Sequence, residues 1–342
     1  MSKALIVDKN DDTITLEIRQ VGDEFLGEGD TIIAVSHSAL NYKDAMALEG
    51  NRGVARIFPL VPGIDAIGRV ESTTAEGFAP GDLVVLNGAG LGEFRHGGYQ
   101  DRVRVDSSSL VAAPAGWTAE DLAAVGTAGY TAALSVNALV EQGVRPEDGE
   151  ILVTGATGGV GTVALMLLAS LGYTTVAATG RRDTLGDYLT GLGASRIIDR
   201  DELSHKGKPL QKATYAGAVD CVGSTTLATA LAQVTWGGTV TACGLAQGAD
   251  LTTTVLPFIL RGVKLVGINS VDAPLDYRTR AYDLLDEHLD LAKLRAATQT
   301  VTLEEVAEAG KQLFAGGIHG RTIVQLEALS VQVGRINGRI VV

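Results

Sequence analysis

The sequence predicts an α/β protein in two parts: a partly open, barrel-like β-rich part, then a doubly wound parallel sheet. Three observations carry this. Beyond about residue 120, short apolar runs alternate with helix-length segments, the pattern of βαβ units. Ahead of that point, period-two stretches are separated by Pro-Gly turns, with no long helical pattern between them. From Ile151 to Gly172 an apolar strand, a glycine cluster and an apolar helix follow one another directly. At 342 residues the chain is too long for one ordinary domain, and 46% hydrophobic content supplies two cores. Its 43 glycines suit a turn-rich α/β protein.

The elements read in order as follows. Thr13–Arg19 alternates with period two and predicts a half-buried strand, and Thr31–Ser38 predicts another. Pro62-Gly63 and Pro80-Gly81-Asp82 mark turns, and Leu83–Leu86 predicts the strand after the second. Leu122–Val140 has helical periodicity and stops at Gly143. Strands are predicted at Ile151–Val153, Thr175–Ala178, Arg196–Ile198, Gly217–Val222, Thr239–Ala242 and Lys264–Ile268. Two helices, Arg280–Leu294 and Leu303–Ala315, lead to a final strand, Arg321–Leu326. The chain divides into a barrel-like domain (1–122 with 272–330) and a doubly wound domain (123–271). The tail, 331–342, has two Gly-Arg steps and an apolar end; an extra strand, a flexible tail and a cloning remnant suit it equally.

Charge and cysteine content exclude several roles. The net charge is −12, and no Lys/Arg block offsets it, so nucleic acid is a poor partner. The first apolar run breaks at Asp8, too early for a secretory signal, and no run approaches the roughly 20 apolar residues of a membrane span. Cys221 and Cys243 provide no disulfide framework. Each ends an apolar run and reads as a small core residue. The expectation is a cytoplasmic protein.

The glycine cluster, Gly155-Ala-Thr-Gly-Gly-Val-Gly161, has GxxGxxG spacing. Gly155 and Gly158 let the chain turn tightly and approach a ligand; Gly161 lets the helix pack close to the sheet. Thr157, Gly158, Gly159 and Val160 then lie where backbone N–H groups and a helix N-terminus meet a pyrophosphate. The competing reading is a plain βα turn. About 20 residues on, NAD-binding chains place a carboxylate for the ribose 2′-OH. This chain has Thr179, Gly180, Arg181 and Arg182 there. Guanidinium groups pair with phosphate, so the predicted cofactor is NADP(H). A solvated Arg pair is the alternative.

Zinc sites need clustered Cys, His or carboxylate ligands. Two cysteines and five histidines without paired spacing predict no metal site. No nucleophile-elbow or Walker motif is present either, so the chemistry falls to the nicotinamide.

This order of parts, from about residue 3 to 326, resembles the medium-chain dehydrogenase/reductase superfamily, whose barrel-like part is GroES-like and whose doubly wound part is a Rossmann domain. Zinc members carry a Cys near the place of Asn41 and Gly-His-Glu where this chain has Gly63-Ile64-Asp65. Both are replaced and the four-Cys lobe is absent, which points to the zinc-free quinone and enoyl reductases. Six blocks resemble the bacterial acrylyl-CoA reductase family: residues 38–44, 62–65, 126–129, 218–223, 254–261 and 320–322. That family reduces acrylyl-CoA to propionyl-CoA with NADPH. Asn269-Ser270 stands where this branch has Asp-Ser, and the stretch after Gln325 is longer than usual.

The resemblance implies a set of site residues. Thr127, Cys221, Val222, Cys243, Gly244, Leu245, Asn269 and Ser270 would line the cofactor, and Arg321 would reach its phosphates. Reduction of the alkene puts negative charge on the thioester oxygen and requires a proton at the α-carbon. Tyr42 would hold that oxygen or relay the proton, Asn41 would bond the carbonyl or the ribose, and Asp44 would orient them. Arg52 and Arg56, just after this segment, are candidates for the CoA phosphates of an acyl-CoA thioester substrate. The blander readings are a core-edge Tyr42, a helix-cap Thr127, and surface charges at Arg321 and Lys43. The resemblance also implies a homodimer through the edge near Lys264–Ile268. The leading function is NADPH-dependent acrylyl-CoA reduction. A quinone or enone oxidoreductase is the nearest alternative, and an NADPH-binding sensor or RNA-binding protein with little catalysis is the alternative of another class.

Overall fold

The computed structural model describes residues 2–10, 13–326, 334–336 and 339–341. The β-rich part opens with a hairpin of β1 (Ser2–Asn10) and β2 (Thr13–Val21). Then follow β3 (Thr31–Ala39), a short helix α1 (Tyr42–Leu48), β4 (Asp65–Thr73), β5 (Leu83–Asn87), β6 (Arg102–Val105) and β7 (Val111–Ala112). The long helix α2 (Ala119–Glu141) leads into β8 (Glu150–Thr154), α3 (Gly159–Ser170), β9 (Thr175–Thr179), α4 (Arg182–Leu192) and β10 (Arg196–Asp199). After these come β11 (Tyr215–Asp220), α5 (Ser224–Gln233), β12 (Val234–Ala242), α6 (Leu256–Arg261) and β13 (Lys264–Gly267). The chain returns through α7 (Leu275–His288), α8 (Leu291–Ala296), β14 (Thr298–Thr302), α9 (Val306–Phe314) and β15 (Arg321–Gln325).

Two sheets organise the molecule. Strands β10-β9-β8-β11-β12-β13 form a parallel sheet whose order reverses between β8 and β11. That is the doubly wound topology, and it opens a crevice at the carboxyl ends of the central strands. Strands β14-β15-β3-β4-β5-β7, with β6 on β3, form the second sheet. Its pairings are antiparallel except β14 with β15. Helix α2 joins the two. It is long and apolar enough to cross a membrane, yet most of it is buried inside the protein. Leu122, Val125, Tyr130, Val136 and Leu139 on α2 share one core with Val163, Leu167, Ile151 and Val153.

Several expectations need correction. The predicted helix Arg280–Leu294 is two helices, because Asp290 accepts the N–H of Lys293 (3.0 Å) and caps a new one. The predicted helix Leu303–Ala315 begins only at Val306, after the unpredicted strand β14. The strand expected to reach Val222 ends at Asp220. Tyr42 begins a short helix that no predicted element covered. Within the tail, residues 334–336 and 339–341 pair antiparallel; the rest of 331–342 lies outside the described residues.

Candidate active site

The glycine loop lies at the crevice. Gly155 has φ +60°, and a Cβ at Gly161 would lie 2.6 Å from both the Ala156 Cα and the Gly155 carbonyl oxygen. Only glycine fits that close approach. Helix α3 starts at Gly159, and its first turn leaves N–H groups without intrahelical partners, aimed at the crevice. Thr179–Arg182, Cys221–Val222, Cys243–Leu245 and Asn269–Ser270 follow the carboxyl ends of β9, β11, β12 and β13. The sequence-predicted cofactor residues of this sheet therefore share one edge. Two of them have other tasks: Leu245 is exposed, and Asn269 Oδ1 accepts the N–H groups of Val271 and Asp272 (3.0 and 3.2 Å). Cys221 and Cys243 are half-buried where β11 and β12 end rather than fully buried, and Cys221 packs against the core.

Two arginines, Arg181 and Arg200, come near each other where an adenosine ribose would end. Arg181 is half-buried and folds back. Its Nη1 donates to the Gly316 and Ile318 carbonyls (2.9 and 2.8 Å), and its Nη2 donates to Thr157 Oγ1 (2.6 Å). The Arg181 N–H bonds Thr179 Oγ1 (3.0 Å). Arg182 is exposed at the start of α4. Arg200 lies beside Gly180, where an added Cβ would come 2.6 Å from its Nε. Burial, with Arg200's charge adding to it, pushes the Arg181 guanidinium down from its ordinary value. The sequence reading missed Arg200. The signal was available: β10 pairs β9 with Asp199 opposite Thr179, so the residue after β10 stands beside the ribose site. This cluster, together with the glycine cradle, fits NADP(H).

A buried polar pit lies below the other end of the loop. Asn41 Nδ2 donates to Asp44 Oδ2 (2.9 Å) and Asp65 Oδ2 (2.8 Å). Asp44 also accepts the N–H groups of Asn41 and Ile64, each at 2.8 Å. Asp65 Oδ1 accepts Asn87 Nδ2 and Thr127 Oγ1, each at 2.7 Å. Arg321 Nε donates to the Ala124 carbonyl (2.7 Å), and both its terminal nitrogens lie 3.5 Å from Asn41 Oδ1. Burial, then the charge of Asp65, pushes the Asp44 carboxyl up to about 7. Burial pushes the Arg321 guanidinium down, against the pull of Asp65 and Asp44.

This arrangement replaces two of the blander readings. Arg321 is 2% exposed and so is no surface cation. Its guanidinium fills the space a Cβ would need at Gly126 and at Gly159, 2.6 Å from each. Gly126, at φ 49° and ψ −165°, breaks α2 to admit it. Thr127 lies past that break and serves Asp65, not a helix cap. The sequence had not singled out Asp65 or Asn87 as site residues.

The rim of the pit is more open. Tyr42 is 50% exposed, its ring meets Phe314 edge-on at 4.8 Å, and its hydroxyl has no hydrogen-bond partner among the described residues. Lys43 pairs with Glu93 (2.8 Å). Arg52 lies over the Phe58 ring (5.7 Å), and Arg52 and Arg56 are both exposed. Among the described residues no three His, Cys, Asp or Glu side chains stand together as metal ligands.

A parallel sheet with this crevice, loop and arginine cluster defines a nicotinamide-dependent oxidoreductase. Comparison with known proteins narrows the class. Residues 27–115 match the alcohol dehydrogenase GroES-like domain, and 159–287 match the zinc-binding dehydrogenase family. The chain is 44% identical to the probable acrylyl-CoA reductase AcuI of Escherichia coli, covering 95% of this chain and 99% of that one. It is 43% identical to the acrylyl-CoA reductase AcuI of Ruegeria pomeroyi, covering 96% and 100%. The crystal structure of the yhdH oxidoreductase from Salmonella enterica in complex with NADP superposes with a TM-score of 0.92 at 42% identity, covering 96% and 100%. The chain belongs to the acrylyl-CoA reductase family of the medium-chain dehydrogenase/reductase superfamily.

Proposed function

We propose that the protein reduces a short α,β-unsaturated acyl-CoA, acrylyl-CoA above all, with NADPH. The observation that carries this is Arg321, whose guanidinium lies between Asn41 and Gly159. One buried cation thereby ties the glycine loop to the segment bearing Tyr42. When bound, NADPH supplies a hydride to the alkene β-carbon. The chain's residues do the rest. The loop 155–161 and the first turn of α3 hold the pyrophosphate. Arg181, Arg182 and Arg200 take the 2′-phosphate. Thr127, Asn41 and Arg321 fix the floor on which the nicotinamide end rests. Tyr42's unpaired hydroxyl holds the enolate oxygen that forms and passes a proton toward the α-carbon. Asp44 and Asp65 fix the Asn41 amide between them and keep the start of α1 in place. Arg52 and Arg56 offer cations to the CoA phosphates.

The division at 122/123 and 271/272 follows the two sheets and is our reading of the domains. We also infer a homodimer. Strand β13 is a sheet edge, and Leu265, Ile259, Leu260 and Val255 around it are exposed. A cytoplasmic setting without nucleic-acid partners fits the free thiols and the net charge of −12. Stopped-flow NADPH oxidation with acrylyl-CoA, with a quinone and with no acceptor tests the reading. Faster turnover of the quinone would replace it with the quinone oxidoreductase alternative. No acceptor-dependent oxidation would leave only an NADPH-binding role.

A further inference from the structure

The two cysteines stand together at the crevice, where the resemblance has them line the cofactor, and no chemistry has been assigned to their thiols. Their sulfurs are 3.8 Å apart. Strands β11 and β12 run parallel with Asp220 opposite Ala242, so the next residues, Cys221 and Cys243, are neighbours on one face. The ladder continues one step further, from the Cys243 N–H to the Asp220 carbonyl (2.9 Å). Adjacent strands lie about 4.8 Å apart. That falls within the Cα separation of about 4.4–6.8 Å that a disulfide spans. The backbone is also fixed here. The Gln247 N–H bonds the Val222 carbonyl (2.8 Å), and a Cβ on Gly244 would lie 2.2 Å from the Cys221 carbonyl oxygen. Side-chain rotation alone must therefore bring the sulfurs to bonding distance, about 2.05 Å. It would take the Cys243 Sγ–H away from the Asp220 carbonyl, which it now meets at 3.3 Å.

We propose that Cys221 and Cys243 form a reversible oxidation site, which a small-molecule disulfide converts to an intramolecular disulfide that weakens cofactor binding. The effect on binding rests on the crevice holding NADPH; the cross-link does not. The hydrogen bond shared by the two thiols, then burial, pushes the Cys221 thiol up, which disfavours Cys221 as the first attacking thiolate. The Cys243 thiol gives its proton to solvent, and its sulfur attacks one sulfur of the oxidant. The oxidant's S–S bond breaks and its first thiolate leaves and is protonated. Cys221 then loses its proton and attacks the Cys243 sulfur of the mixed disulfide, and the second thiolate leaves. The protein loses two electrons and two protons; the oxidant takes up both, becoming two thiols. The bridge stiffens the floor between the loops after β11 and β12, both of which line the crevice.

The test uses the full chain, cofactor-free, with oxidised glutathione at mildly alkaline pH, followed by removal of the oxidant. Mass spectrometry is expected to find a protein lighter by two hydrogens, with peptides linked through Cys221 and Cys243. NADPH affinity should fall about fivefold or more and recover with a dithiol reductant, and prior NADPH should slow the cross-link. Cys243→Ser should take up no bridge, and its NADPH affinity, compared with that of the same variant untreated, should not change with oxidant; Cys243→Ala serves if Ser misfolds. Two thiols still titratable, glutathione adducts that never resolve, or a bridged protein with unchanged NADPH affinity would each overturn the proposal. Failure of the reduced protein to bind NADPH would instead overturn the cofactor reading, since the cross-link is read by mass.

Discussion

Arg321 and Arg181 approach the same glycine loop from opposite sides and are held in opposite ways. Arg321 is sealed in the pit with two buried carboxylates near it. Arg181 is half-buried, and its acceptors are two backbone carbonyls and one hydroxyl. A cation balanced by buried anions cannot leave without stranding them. A cation resting on neutral oxygens can exchange them for a phosphate at little loss. The first holds the pit together, and the second is the one proposed to take the 2′-phosphate.

The sharpest way to break that contrast is Arg321→Met. The variant keeps much of the side-chain volume and leaves Asp44 and Asp65 uncompensated. It strands the Ala124 carbonyl and Asn41 Oδ1, each a buried acceptor whose loss of a donor costs about 1–3 kcal/mol, and removes the charge that Asp65 and Asp44 pull on. Urea unfolding should show a loss of that order. A loss under about 1 kcal/mol would mean that the carboxylates are not balanced by Arg321.

The pH dependence of stability probes the same pit from its acidic side. The Asp44 carboxyl is raised from 3.8 to about 7 in the folded protein. Between those values the folded state holds a proton that the unfolded state has released. Stability from this group is therefore fully present below the unfolded value and is lost as pH rises through about 7. At about 1.4 kcal/mol per unit, the fall is a few kcal/mol at most. Asp44→Asn cannot titrate, so the difference between wild-type and variant stability should shift across that window. Parallel stability–pH curves would remove Asp44 from the titration.

These tests concern parts that differ in how far the sequence revealed them. The doubly wound half was legible because apolar runs, glycines and helix-length spacers are local signals. The glycine loop and Thr179–Arg182 could be placed on one edge for the same reason. The pit was only half legible. Asn41 and Asp44 are three residues apart in sequence, but Asp65, Asn87, Thr127 and Arg321 join them only through sheet register and the break at Gly126. Nor could Arg181's inward fold be read, since its carbonyl acceptors lie some 135 residues away. The single helix predicted over 280–294 failed because Asp290 reads equally well as a helix residue and as a cap.

Tyr42 tests whether the exposed rim does chemistry that the buried pit does not. Tyr42→Phe keeps the ring on Phe314 and removes a hydroxyl that has no protein partner among the described residues. Fold and NADPH affinity should be unchanged, while kcat and kcat/KM fall together. Removing one donor from an oxyanion site typically lowers the rate about a hundredfold. A Phe variant within about twofold of wild type on acrylyl-CoA would show that the hydroxyl takes no part. Asn41, whose amide would have to give up one of its two carboxylate acceptors, would then be the next to test.

The smallest expected effect belongs to Arg181, and it separates two roles that one substitution removes together. Arg181→Ala takes away a 2′-phosphate ligand and also the link from Thr157 to the 316–318 segment. Loss of the link weakens NADH and NADPH binding alike, because both share the pyrophosphate loop. Loss of the phosphate contact weakens NADPH alone. The ratio of the two affinities therefore reads the phosphate contact, free of the structural effect. A charge-assisted hydrogen bond contributes about 1.5–3 kcal/mol, so the ratio should fall about tenfold or more. Arg200→Ala should lower the same ratio by less, since Arg200 is exposed and screened, and should leave NADH binding untouched. Equal losses for both cofactors in Arg181→Ala would mean that Arg181 is architecture like Arg321, and Arg200 with Arg182 would carry the 2′-phosphate.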